Sequence, residues 1–209
     1  MGVKSDITKF YLNKHSNKPS LLPTHQKEIA MKEFTLHTPE TAPESSKPLL
    51  EKSQQAFGSI PNLHAVMAES PQLLHGYQVL HEAFLNSSFN NAEKTVVWQS
   101  INVEHECHYC VPAHSAIAKS MKVDDDLNQA LRDQAPLGDD KLEVLRDTTL
   151  EIVRQRGHLS DEQSKTFFAA GYSQQNLLDI ILALSQKVMS NYVNHLADTP
   201  LDDAFKPFV

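Results

Sequence analysis

Cysteine is nearly missing from this chain. Only Cys107 and Cys110 occur in 209 residues, too few for a disulfide framework to hold a domain of this size. Whatever the two thiols do is local. Glycine is scarce too, with six residues, and proline gathers mostly between Pro19 and Pro71, where it punctuates periodic stretches rather than interrupting them. Apolar runs stop well short of the ~20 residues a spanning helix requires, so a soluble protein with no membrane partner is expected. Basic side chains are outnumbered, 19 Lys plus Arg against 26 Asp plus Glu for a net charge of -7, and they form no cluster, which argues against nucleic acid. Residues Met1 to Gln26 hold no apolar core and no small-residue cleavage site, so export by a signal peptide is not expected. Two closely spaced free thiols suit the reducing cytoplasm, the expected location.

What remains is an ordinary globular balance, 40% hydrophobic and 22% charged, in a length that suits one domain. Residues 1–30 read as a polar N-terminal extension, and 31–209 as the folded domain. From Pro71 onward the apolar spacing is helical. Ser70-Pro71 gives a capping residue and a proline at the first helical position, and Asp139 or Asp140, Ser160 with Gln163, and Ser173 supply further starts. A helix is expected from about Glu44 to Phe57, stopped by Gly58, followed by a turn at Ser59-Ile60-Pro61-Asn62. The longest helix follows Ser173, with Leu177, Ile181, Leu184, Val188, Tyr192 and Leu196 in a stripe at steps of three and four. Its apolar surface is broad enough to suggest a second contact, against another subunit. No βαβ alternation occurs, so the expected class is all-α.

The chemistry is concentrated in Glu104-His105-Glu106-Cys107-His108-Tyr109-Cys110-Val111-Pro112-Ala113-His114. On a helix Cys110 and His114 share a face, and Cys107 lies one turn earlier. A thiol attacks as thiolate, and an ordinary cysteine with a pKa of ~8.5 is mostly protonated near neutrality. His114 is placed to take the Cys110 proton, and the free N–H groups of a helix start favour negative sulfur. Glu93, Glu104 and Glu106 oppose a thiolate unless one of them orients His114, which suggests a relay from carboxylate to imidazole to thiol. Pro112 belongs in a first helical turn, so the helix should begin near His108 or Tyr109, leaving Cys107 exposed and Cys110 inside. Zinc bound by Cys107, Cys110 and His114, with His105, His108 or Glu104 as a fourth ligand, is the alternative. Trp98, Tyr77, Phe84, Phe167 and Phe168 read as core, and His64, His75 and His81 as structural.

The dithiol with Ala113-His114-Ser115, together with Ile60-Pro61-Asn62-Leu63, Ser70-Pro71, Phe168-Ala169-Ala170-Gly171-Tyr172-Ser173 and Asn191-Tyr192-Val193-Asn194-His195-Leu196, resembles the carboxymuconolactone decarboxylase family. The match is to its alkyl hydroperoxidase D-like, peroxidase-related branch, over about 31–209. That resemblance implies an all-α fold forming dimers, trimers or hexamers, and a buried second cysteine, Cys110, activated by His114 beside an exposed Cys107. The branch carries a relay Glu twelve residues before the first cysteine, where this chain has Thr95, so either Glu104 or Glu93 substitutes, or the relay is incomplete and peroxidase turnover is weak. The implied activity is thiol-dependent reduction of a small hydroperoxide, or disulfide exchange, with a dithiol or protein reductant and no cofactor or metal. A redox sensor or metal-clipped oligomer without turnover is the other expectation.

Overall fold

Every regular element among the described residues, 33–209 of this computed structural model, is helical. The expected extension at 1–30 lies outside the described residues. A 3-10 turn at Glu44–Ser46 leads into α1 (Lys47–Phe57), and Gly58 ends it in the left-handed conformation that a side chain would strain. Next come α2 (Asn62–Met67), α3 (Pro71–Leu85), α4 (Asn91–Glu104), α5 (Cys110–Ser120), α6 (Asp125–Arg132), α7 (Asp140–Arg154), α8 (Asp161–Ala169) and α9 (Gln174–Ala197). A 3-10 turn, Asp203–Phe208, closes the chain. None of these helices is long and apolar enough to cross a membrane.

The caps sit where the sequence puts them. Ser70, Asp139, Ser160 and Ser173 each accept a backbone N–H of their helix, and the last two complete reciprocal capping boxes with Gln163 and Asn176. The expected turn at 59–62 is shorter than foreseen, because Asn62 already opens α2. That six-residue helix is buried from Leu63 to Met67 and so carries no polar face for periodicity to reveal.

Helix α4 is the axle of the fold, packed by α5, α6, α7 and α9, while α3 lies along α9. Two apolar clusters result. One joins Trp98, Ile101, Leu145, Ile152, Phe167 and Ile180, and the other joins Leu50, Leu63, Met67, Leu74, Tyr77 and both cysteines. Between them α9 turns inward a face that is largely polar: Gln186, Lys187, Ser190, Asn191 and Asn194 are all fully buried. Ile181, Tyr192 and Leu196, half of the stripe that sequence periodicity marks, are exposed. The apolar stripe therefore does not mark the buried face of this helix. Phe168, expected in the core, is likewise partly exposed.

Candidate active site

The dithiol sits in the joint between α4 and α5. Helix α4 ends in a Schellman arrangement: Glu106 adopts φ 52, its N–H bonds to Val103 O at 2.9 Å, and the Cys107 N–H bonds to Asn102 O at 3.0 Å. This left-handed step turns the chain so that Cys107 immediately caps the next helix. Its carbonyl accepts the Val111 N–H at 3.1 Å, and its Sγ accepts the Cys110 N–H at 3.3 Å. Pro112 is the third residue of α5, inside the first turn, where its missing N–H costs nothing.

Both sulfurs are buried, Cys107 at 0% and Cys110 at 2% exposure, which corrects the expectation of an exposed Cys107. The Schellman turn causes this, by folding Cys107 back under α9 rather than out along the loop. From α9 the Asn194 amide donates to Cys110 Sγ at 3.2 Å and more distantly to Cys107 Sγ at 3.9 Å. The Cys107 thiol is pulled down to about 4 by the hydrogen bond from the Cys110 thiol, then by the Asn191 amide, the Cys110 N–H and the charge of Lys187, against burial. Burial pushes the Cys110 thiol well up, and its bond to Cys107 adds to that. Lys187 favours a thiolate on either sulfur, and the hydrogen bond between the two thiols lets them share one proton.

His114 stands on the next turn of α5, as expected, but its partner is Lys187 of α9, whose Nζ donates to Nε2 at 2.9 Å. An ammonium can only donate, so Nε2 is the acceptor and Nδ1 carries the hydrogen; that buried Nδ1 has no partner among the described residues. Burial, Lys187 and His81 hold the imidazole well below its ordinary pKa, so it is neutral. Trp98 packs edge-on at 4.8 Å between ring centres. No described hydrogen bond joins His114 to either sulfur, so the cation beside the dithiol is Lys187.

The expected relay carboxylates lie elsewhere. Both Glu104 oxygens are gripped by Arg154 at 2.7 and 2.8 Å, which lowers the carboxyl pKa. Glu93 closes the capping box of α4 and pairs with Lys141 at 3.1 Å. Thr95 bonds its own helix at Asn91 O. The structure brings together Cys107, Cys110 and His114 and leaves Glu104 and Glu93 apart from them. The zinc alternative fails on the same ground. Among the described residues no three His, Cys, Asp or Glu side chains form a metal-ligating group. His105 bonds Asn191, and His108 bonds Thr199 O.

A cavity of about 190 Å³ opens beside Cys110, His114 and Lys187. Phe57, Leu63, Tyr77, Tyr109, Ile117 and Phe205 supply its apolar wall, and His64 and His81 face it. Burial holds these two imidazoles neutral, at about 3 and about 4, with His81 also acting on His64 and Lys187 on His81. Tyr109 donates its hydroxyl to Asp202, pinning the C-terminal turn over the cavity. Sequence reasoning missed Lys187, Asn194, His64 and His81. Lys187 and Asn194, seven apart on one helix, were the available signal, since polar residues at that spacing share a face.

These helices form the alkyl hydroperoxidase D-like all-α fold. The solved structures that share it include the alkylhydroperoxidase AhpD core of an uncharacterized peroxidase-related protein from Ralstonia eutropha JMP134. It matches with a TM-score of 0.74 at 15% identity, over 83% of this chain and 93% of that one. An uncharacterized peroxidase-related protein from Silicibacter sp. TM1040 matches with a TM-score of 0.70 at 19% identity, over 85% and 97%. The debrominase Bmp8, in a variant complexed with 2,3,4-tribromopyrrole, matches with a TM-score of 0.69 at 16% identity, over 84% and 94%. No protein-family model and no curated protein matches the sequence.

Proposed function

We propose that this protein is a thiol-dependent reductase that passes two electrons from the Cys107–Cys110 dithiol to a small hydroperoxide in the cavity. The observation that carries this reading is the placement of Cys110, His114 and Lys187 together at the wall of a mostly apolar cavity, with Cys107 beside Cys110. Cys110 is the sulfur that lines the cavity. Movement of the shared proton from Cys110 to Cys107 leaves the attacking thiolate facing the substrate. The Cys110 sulfur bonds to the outer peroxide oxygen, the O–O bond breaks, and the electron pair departs on the alkoxide. Cys107 then attacks the sulfenic acid, closing the disulfide and releasing water with its proton. The sum is dithiol plus hydroperoxide to disulfide, alcohol and water, and an external dithiol or a protein reductant reopens the bridge. No metal or cofactor enters this scheme.

Steady-state hydroperoxide consumption with dithiothreitol tests it. Consumption should vanish in Cys110→Ser, vanish in Cys107→Ser once sulfenic acid has formed, and fall by about a hundredfold in His114→Ala, the lower end of the ~10²–10⁴ that a positioned proton-handling side chain contributes. Glu104→Gln should leave it unchanged. Equal rates in the wild type and the cysteine variants would refute the enzyme reading, and a single oxidation without turnover would favour a sensor.

The aromatic wall and the likeness to a debrominase favour a second substrate class, a small halogenated aromatic ring. There the dithiol would give a hydrogen to carbon and release halide as the disulfide closes. The size of the cavity is suitable: about 190 Å³ here, against the ~150 Å³ of an apolar cavity that admits benzene. In either case the reading includes assembly with further copies of the chain through the exposed apolar ridge of α9, in a reducing compartment such as the cytoplasm.

A further inference from the structure

Lys187 is fully buried, and the one hydrogen bond described for its ammonium is to a neutral imidazole. None of the described ion pairs includes it. Asp202 shares the cavity wall, yet its carboxylate is taken by the Tyr109 hydroxyl and the Asn62 N–H. The other titratable groups facing Lys187 are His81, His114 and the two cysteines. An unbalanced buried ammonium is costly, and Lys187 acts on both thiols in the direction that favours a thiolate, which makes the dithiol its nearest anionic partner in the reduced protein.

That balance ends when the dithiol reacts. The thiolate spends its electron pair on a bond to substrate, and the negative charge moves onto the leaving group, an alkoxide from a hydroperoxide or a halide from a halogenated ring. Both classes share one feature, negative charge that develops on a small leaving group beside Cys110: a halide keeps it, and an alkoxide takes up a proton to leave as the alcohol. Two donors lie buried behind the cavity wall. One is the Lys187 ammonium, and the other is the unpartnered Nδ1–H of His114, both residues lining the same cavity.

We propose that Lys187 and His114 form a leaving-group anion site that is neutralised by the thiolate in the dithiol state and takes a small monovalent anion in the disulfide state. This rests on the dithiol chemistry proposed above and adds what the site binds. The charge of the thiolate passes to the leaving group, which faces the ammonium as a halide or, as an alkoxide, takes a proton and departs as the alcohol, leaving the site open to a small anion from solution. Reduction of the disulfide restores the thiolate and expels whatever anion is bound. Redox state and anion affinity are coupled, each altering the other by the same factor.

Trp98 supplies the readout. It is the sole tryptophan, and its ring lies 4.8 Å from that of His114. Full-length protein is converted to the disulfide with diamide, with loss of two hydrogens verified by intact mass, or kept reduced. Each form is titrated with iodide at constant ionic strength set by gluconate. The expected result is saturable quenching of the disulfide form, at least tenfold weaker in the dithiol form, lost in Lys187→Met and kept in Lys187→Arg. Equal iodide binding in both redox states, no saturable binding to the disulfide, or unchanged binding in Lys187→Met would each overturn the proposal. The wild-type comparison decides alone if the methionine variant does not fold. Diamide forms the bridge whether or not hydroperoxide is a substrate, so failure of the reductase reading and failure of the anion site give different results.

Discussion

Cys107 both caps a helix and holds a charge, and the two roles have one cause. A sulfur placed to accept the Cys110 N–H at the start of α5 meets the positive end of the helix, and the Cys110 thiol completes the stabilisation. The pH dependence of stability follows from the two shifts. A thiol depressed to about 4 adds stability that is complete above its unfolded pKa of ~8.5 and is lost as pH falls toward the folded value. Cys110 is raised, so above ~8.5 the unfolded chain ionises a thiol that the fold keeps protonated, and stability declines. Relative to a variant with both cysteines replaced by serine, unfolding free energy should climb as pH rises toward about 8.5 and then turn down. Urea melts across that range, with thiolate absorbance at neutral pH as the companion reading, check it. A flat difference would contradict the assignment. At this scale the sequence exposed Cys107, Cys110, His114 and the first-turn Pro112, because covalent spacing fixes them. It hid Lys187 and Asn194, since each sits about 80 positions away and polar residues on a helix ordinarily face water.

Helix α9 holds the largest difference between pattern and structure. Its start was plain from Ser173 and Asn176, and its length from unbroken periodicity. Its orientation was not, because the rule that apolar stripes face the core assumes that polar residues lack buried partners. Here they have them. Gln186 accepts from Trp98 at 2.8 Å, Asn191 donates to Asn102 at 3.1 Å, and the Asn194 amide donates to the sulfurs, so most of the inner face is hydrogen-bonded without hydrocarbon, with Asn194 Oδ1 left unpartnered among the described residues. Leu178, Ile181, Tyr192 and Leu196 are left outside, spaced as a seam for another helix. If that seam joins copies of the chain, Leu178→Glu with Leu196→Glu should lower the mass seen by light scattering while far-ultraviolet dichroism is retained. An unchanged mass would remove α9 from the interface. Glu104 illustrates the opposite error, a residue whose position next to the dithiol in sequence suggested a role. The bidentate grip of Arg154 makes it a tie between α4 and α7 of about 0.2–1 kcal/mol.

Across the whole molecule, the site lies on a polar seam between two apolar clusters, with the dithiol on one side and Trp98 on the other. The all-α class was legible because caps and periodicity are local signals. The fold is shared with structures only 15–19% identical to this chain, so helix order and packing persist where residue identity has largely been replaced. Which groups line the seam could not be read, since they come from α3, α4, α5 and α9 and meet only in three dimensions. That arrangement places both sulfurs, themselves buried, beside a mostly apolar cavity. Its most direct test is the intact mass and free-thiol count of reduced protein after one equivalent of an organic hydroperoxide. Loss of both thiols and of two hydrogens per chain, reversed by dithiothreitol, is the predicted result; unchanged thiols, or oxygen retained on one sulfur with its neighbour still free, would contradict it.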